Sequence, residues 1–309
     1  MFSSSDVIFV KTVKTNTRES RPIPAAANTS FYPAHILMKS DYVDAVSEVT
    51  SGHIPVPIHA HDFYEIIYFR NSIGAEYLIG SDRYRIQKGD IVLTAPGVAH
   101  CPFLPDPMPE PYLRYCLRLS ADFIHQVTRM YMGEDTPYTP ESFLLRTSGT
   151  RWEFLGELFH QGVVEAEDQK TGWELALVGS TIQLLIHLHR AQMAQANAPM
   201  KAETPQLVDH VLEYIENHLR EKITLADVAH HFYVSQSTIT QTFRNKLGLS
   251  FYRCVTQRRL IAARRLIESG LPMDQVSEQV GFQDYSSFFR AFKQEYGVSP
   301  RQFRTMQTK

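Results

Sequence analysis

Two stretches near the C-terminal end of the chain repeat each other. LADVAHHFYVSQSTITQTFRNKLGLS (225–250) aligns with MDQVSEQVGFQDYSSFFRAFKQEYGVS (273–299), at an offset of 48 before a tight turn and 49 after it. Such a repeat predicts one unit built twice, each a short helix, a turn and a second helix. Leu225, Val228, Ala229 and Phe232 correspond to Met273, Val276, Ser277 and Val280, so one face of each first helix is apolar or small. The small Ala229 and Ser277 allow two helices to cross closely. Ser235 and Asp284 stand where the second helices need N-caps. Ile239 with Phe243, and Phe288 with Phe292, are i,i+4 pairs that belong to the core.

With those faces assigned inward, the outward positions become informative. A helix entering the major groove shows polar side chains to base edges and cations to phosphates. The first unit offers Ser237, Thr238, Thr240, Gln241 and Arg244; the second offers Tyr285, Ser286, Phe289, Arg290 and Lys293. Between the units, Phe251, Val255, Leu260, Ala263, Leu266 and Ile267 recur at helical spacing. A helix of about 18 residues spans roughly 27 Å, a spacer suited to the ~34 Å repeat of DNA. Charge agrees in sign: residues 206–309 hold 14 Lys+Arg against 10 Asp+Glu, while the remainder holds 17 against 23. A solvated, mildly basic surface accounts for that excess equally well, so the tandem pattern is what favours DNA.

Upstream the pattern differs. At 309 residues two domains are expected. Residues 1–30 are polar, with Pro22, Pro24 and no sustained period, and read as an irregular arm. From Phe31 to about Phe123, short runs such as Glu65–Arg70, Ala75–Ile79, Arg83–Ile86 and Ile91–Thr94 alternate with turn clusters, as in an antiparallel sandwich or barrel. Two amphipathic helices are expected around 152–166 and 173–190, then a linker. Three cysteines with no close pair exclude a disulfide scaffold and a cysteine-rich zinc module. The start lacks a secretory pattern, and the greasiest run, Leu175 to Leu188, is interrupted by polar residues. The expectation is a cytoplasmic protein without a membrane partner.

Residues 206–306 resemble the DNA-binding domain of AraC/XylS bacterial transcription regulators. The resemblance rests on ITLADVA, FRNKLGLSFYRCV, RRLIAARRLI with Arg259 and Ala263, QVSEQVGF, the FxxAFKQEYGVSP block and the final Pro300, Phe303 and Arg304. It implies base reading through Ser237, Thr240 and Gln241 in the first unit, and through Tyr285, Ser286 and Arg290 in the second. Three residues depart from the family pattern. Tyr233 occupies the first turn where Gly281 occupies the second; Gln241 stands where Arg is frequent, which favours adenine over guanine. Phe289 replaces a small or polar residue, and reads either as a thymine-methyl contact or as core.

The segment His59-Ala60-His61-x3-Glu65, then Gly89-Asp90 and Pro96-Gly97-x2-His100, resembles the two motifs of cupin barrels. That resemblance implies a barrel interior lined by His59, His61, Tyr64, Glu65 and His100, with Tyr68 and Tyr77 as further aromatic faces. Such a lining suits a small-molecule effector, and the regulator family suggests a sugar. A polar core satisfied by its own hydrogen bonds is the plainer reading. No cofactor is expected; a metal at His59, His61, Glu65 and His100 is the alternative. His35 and His53 read as ordinary loop histidines.

The fold expected is α+β and multidomain: an N-terminal antiparallel cupin-like β-barrel with flanking helices, and a C-terminal all-α domain with two helix-turn-helix units joined by a linker helix. Its divisions are an arm at 1–30, an effector-binding barrel at 31–148, a helical dimerisation or packing segment at 149–192, a linker at 193–205 and the DNA-binding domain at 206–309. By resemblance the chain is a ligand-responsive activator, not an enzyme. Its partners are then double-stranded DNA, an effector, a second copy of itself and RNA polymerase. A cupin metalloenzyme with an accessory helical domain, and an architectural DNA binder without a sensor, are the competing readings.

Overall fold

The computed structural model describes residues 38, 40–51, 56, 58–132, 140–195 and 204–307; the arm at 1–30, His35, His53 and most of the expected linker lie outside them. Eight strands come first: β1 (Val43–Thr50), β2 (Phe63–Phe69), β3 (Glu76–Ile79), β4 (Asp82–Arg85), β5 (Ile91–Thr94), β6 (His100–Phe103), β7 (Tyr112–Ser120) and β8 (Phe143–Leu145). Helix α1 (Ala121–Met132) lies between β7 and β8, inside the 31–148 span expected as the barrel. Helices α2 (Leu155–Asp168) and α3 (Trp173–Gln195) follow.

The strands form two antiparallel sheets, ordered β1-β7-β2-β5-β8 and β4-β3-β6. The described residues therefore show two facing sheets rather than a closed barrel. Period-2 alternation separates their faces. On β2, Tyr64 and Ile66 pack with Leu117, Leu119 and helices α1 to α3, whereas Ile67 and Phe69 pack with Tyr77, Ile79 and Cys116 between the sheets. The outer face of the small sheet is covered as well: Leu78, Cys101 and Phe103 share an apolar cluster with the C-terminal helices.

Those helices are α4 (Leu207–Asn217), α5 (Leu225–His231), α6 (Gln236–Leu247), α7 (Phe251–Glu268), α8 (Met273–Gln279), α9 (Tyr285–Tyr296) and α10 (Pro300–Gln307). The two expected helix pairs are α5/α6 and α8/α9, and α7 is the 18-residue spacer. Its first half is buried with Phe243 and Leu247 of the first unit, its second half with Phe288 and Phe292 of the second. One rigid helix thus enters both cores. No helix among the described residues is long and apolar enough to cross a membrane.

Candidate functional site

Both second helices start and stop as local chemistry dictates. Ser235 accepts the Thr238 backbone N–H at the start of α6, and Asp284 accepts that of Ser287 at the start of α9. The exposed Asp284 carboxyl is held below its usual range by hydrogen bonds from the Ser287 backbone and hydroxyl. Each helix ends at a left-handed glycine, Gly248 or Gly297. The turn inside each unit is left-handed too, with φ +55° at Tyr233 and +79° at Gly281. Glycine is required at the second, because a Cβ there would sit 2.0 Å from the Leu219 carbonyl oxygen. Tyr233 is 94% exposed and meets no such wall, so it bears a strain of roughly 1–2 kcal/mol.

The opposite faces lie open. Ser237, Thr238, Gln241 and Arg244 on α6, and Tyr285, Ser286, Arg290 and Lys293 on α9, are exposed; Thr240 and Phe289 are partly so. Ile239, Phe243, Phe288 and Phe292 are fully buried behind them. The Thr240 hydroxyl donates to the Gln236 carbonyl at 2.9 Å. Phe289 is partly buried and lies beside Tyr285 at 6.2 Å, at the edge of the exposed face of α9.

A second cluster lies between the sheets. His59 pairs with His100 through two backbone hydrogen bonds of 3.1 and 2.9 Å, so the distant motifs meet. The His59 and His61 rings lie 4.3 and 4.8 Å from that of His100. His61 Nε2 is 3.8 Å and His100 Nε2 3.4 Å from the Glu65 carboxylate. Both Nε2 atoms are buried and lack a hydrogen-bond partner among the described residues, while their Nδ1 atoms contact the Phe63 and Val98 carbonyls. Ligand atoms of His59, Glu65 and His100 lie within 4.8 Å of one another.

Tyr64 does not join this cluster: next to Glu65 on β2, it points to the opposite face and packs with the helices, as does Tyr68. Tyr77 does, stacking on His100 at 6.2 Å because β3 pairs with β6. Arg118, absent from the sequence reading, approaches Glu65 at 3.7 Å and bonds Glu48 at 2.8 Å. Its register partner on β2 is Glu65. The signal for it was the spacing of Arg114, Cys116 and Arg118 along one face of β7. Asp90 of the second motif holds a turn instead, accepting the Gln87 N–H at 2.8 Å.

Burial lowers the His61 pKa below its ordinary 6.5. Burial pushes the Glu65 carboxyl up, but the His100 and His61 imidazoles that face it hold it well below its ordinary 4.5. Both groups take up protons more readily in the unfolded chain, so both stabilise the fold at neutral pH. The His61 contribution is present above 6.5 and is lost as pH falls below it; that of Glu65 is lost further down. Thermal unfolding should therefore shift to lower temperature between about pH 7 and about pH 5. His61→Asn should flatten this dependence; an identical slope in wild type and variant would show that His61 does not carry it.

A helix-turn-helix domain family matches residues 228–306. The probable transcriptional regulator LumQ of Photobacterium leiognathi is 32% identical over 128 residues, 41% of this chain and 50% of LumQ. This chain thus matches half the length of that relative. The arabinose operon regulatory protein of Salmonella typhimurium is 27% identical over 234 residues, 72% of this chain and 77% of that one. The transcriptional activator RhaS of an Enterobacter species is 25% identical over 267 residues, 82% of this chain and 93% of RhaS.

Proposed function

We propose, from the chain's similarity to helix-turn-helix transcription regulators of the AraC/XylS kind, that it is a ligand-responsive, sequence-specific binder of double-stranded DNA and not an enzyme. The observation that carries the reading is the pair of capped helices α6 and α9, with polar faces exposed and cores joined by α7. Phosphate contacts fall to Arg244 and Lys293. Base contacts fall to Ser237, Thr240, Gln241, Tyr285, Ser286 and Arg290. Thr238 and Phe289 flank them.

The two facing sheets form a cupin-like sensor, and His59, His61, Glu65 and His100 with Tyr77 and Arg118 line its effector site. Family resemblance points to a sugar and to activation through RNA polymerase in the cytoplasm. The sensor spans residues 31–148, the helical segment 149–192 and the DNA-binding domain 206–309. Exposed Leu175, Ile186 and Met193 on α3 support self-association through that helix. A second occupant of the sensor has its own support. Ligand atoms of His59, Glu65 and His100 within 4.8 Å, with the unpartnered Nε2 of His100 among them, match the donor set of a borderline transition metal such as zinc.

Selection of fragmented genomic DNA on the purified full chain at near-physiological salt tests the reading. Discrete recovered sites are expected, whereas uniformly random recovery would count against it. On a recovered site, Arg290→Ala should cost about 1–3 kcal/mol, roughly 5- to 150-fold in Kd, and relax preference at one position. Unchanged affinity and preference would remove Arg290 from the reading face.

A further inference from the structure

We propose that Arg264 and Arg265 of α7 form a latch between the histidine cluster and the second helix-turn-helix unit, so that displacement of the histidines is felt at α9. The inference rests on the sensor-site reading above and names how that site is coupled to the reading heads.

Arg264 Nη1 donates to the Ala60 carbonyl at 3.1 Å, and its guanidinium lies 3.5 Å from Asp62. Ala60 stands between His59 and His61. The His59 N–H and carbonyl are both taken by His100, and the next carbonyl, that of Ala60, is left to the arginine. The same guanidinium lies 5.3 Å from the Tyr296 ring and 5.0 Å from that of Phe303. Tyr296 is the last residue of α9, and Phe303 is on α10. One side chain thus touches the pocket strand and the base of the second reading head.

Arg265 repeats the device one residue on. It donates to the Gly97 carbonyl, and the Gly97 N–H donates to the His61 carbonyl at 2.7 Å. Gly97 has φ +72°, and a Cβ there would lie 2.6 Å from Arg265 Nε, so the turn has the shape that lets the arginine in. Between the two contacts Ala60, Ala99 and Ile261 close an apolar seam. The small sheet adds a parallel connection: His100 faces the other two histidines, and its neighbour Cys101 packs with Phe243 of the first unit and Val255 of α7. An occupant that moves His59, His61 or His100 shifts the Ala60 and Gly97 carbonyls against α7. It thereby changes how firmly α9 and α10 are held.

Amide hydrogen exchange of the full chain tests this without an effector. Four proteins are compared: wild type, H61N, R264Q/R265Q and the three substitutions together. The latch predicts that R264Q/R265Q raises exchange across 296–303 by about fivefold or more, the scale of ordinary coupling between sites. It also predicts that H61N raises exchange in the wild-type background and adds nothing once the arginines are gone. Exchange unchanged by R264Q/R265Q, or an H61N effect of equal size in both backgrounds, overturns the latch. R265Q alone, at an exposed position, provides the same comparison if the double variant does not fold. The sensor-site reading fails separately. Zinc chloride and a panel of sugars that give no heat in calorimetry and no change in Kd for a recovered DNA site would defeat that reading, and the exchange pattern would be unaltered.

Discussion

Replacing Phe292 with alanine is expected to destabilise the second helix-turn-helix unit severely. The side chain is fully buried at the centre of an aromatic group, with Phe288 at 5.6 Å, Tyr296 at 4.6 Å and Phe303 at 5.6 Å. Truncation of such a residue costs about 3–5 kcal/mol through lost transfer energy and the cavity left behind. A domain is typically stable by about 5–15 kcal/mol, so the loss is a large fraction of the total. Chemical denaturation should show a lower midpoint, and affinity for a recovered DNA site should fall with it. Phe289→Ala is the control on the same helix. Phe289 is only partly buried and lies at the edge of the exposed face of α9, so its loss should alter base preference while the midpoint moves by less than about 1 kcal/mol. Equal destabilisation by both substitutions would return Phe289 to the core.

Arg83→Met should have a similar effect by a different route. Arg83 is 3% exposed and bonds Asp209 on α4 at 3.1 and 3.2 Å, Glu76 beside it on β3, and the Thr204 carbonyl at 3.4 Å. Asp209, 4% exposed, also accepts the Gln206 N–H that caps α4. Without the guanidinium Asp209 remains as a buried and poorly compensated charge, which costs about 3–5 kcal/mol. The loss falls on the contact between the small sheet and α4, the helix packed against the first helix-turn-helix unit. Addition of Asp209→Asn should recover part of the stability, because the stranded charge is then gone while the Gln206 contact can persist. Unfolding of R83M and R83M/D209N by denaturant checks both steps. A double variant no more stable than R83M would show that the charge is not the source of the cost.

What could be read before folding was local. The caps at Ser235 and Asp284 and the i,i+4 pairs behind α6 and α9 all depend on residues within one or two turns of helix. The same holds for the strand alternation around β2 to β5. Even the opposition of Tyr64 and Glu65 was available, since adjacent strand residues face opposite ways; the resemblance to a barrel motif had grouped them together. Helix α1 was less accessible, because it begins directly at the end of β7 with no proline or glycine to mark the change.

The chain by itself determined the repeated unit, its caps, its polar outward faces and the histidine spacing, because each is an interaction between near neighbours whose geometry the backbone period sets. Only the tertiary structure decided that Tyr77 and Arg118 join the histidines, through strand register, and that Arg83 meets Asp209 across 126 residues and Arg264 meets Ala60 across 204. Partners so far apart are chosen by the packing of whole sheets and helices against one another. No local period encodes that choice, since a one-residue slip in register, or a small rotation of α7, would send the same side chains elsewhere.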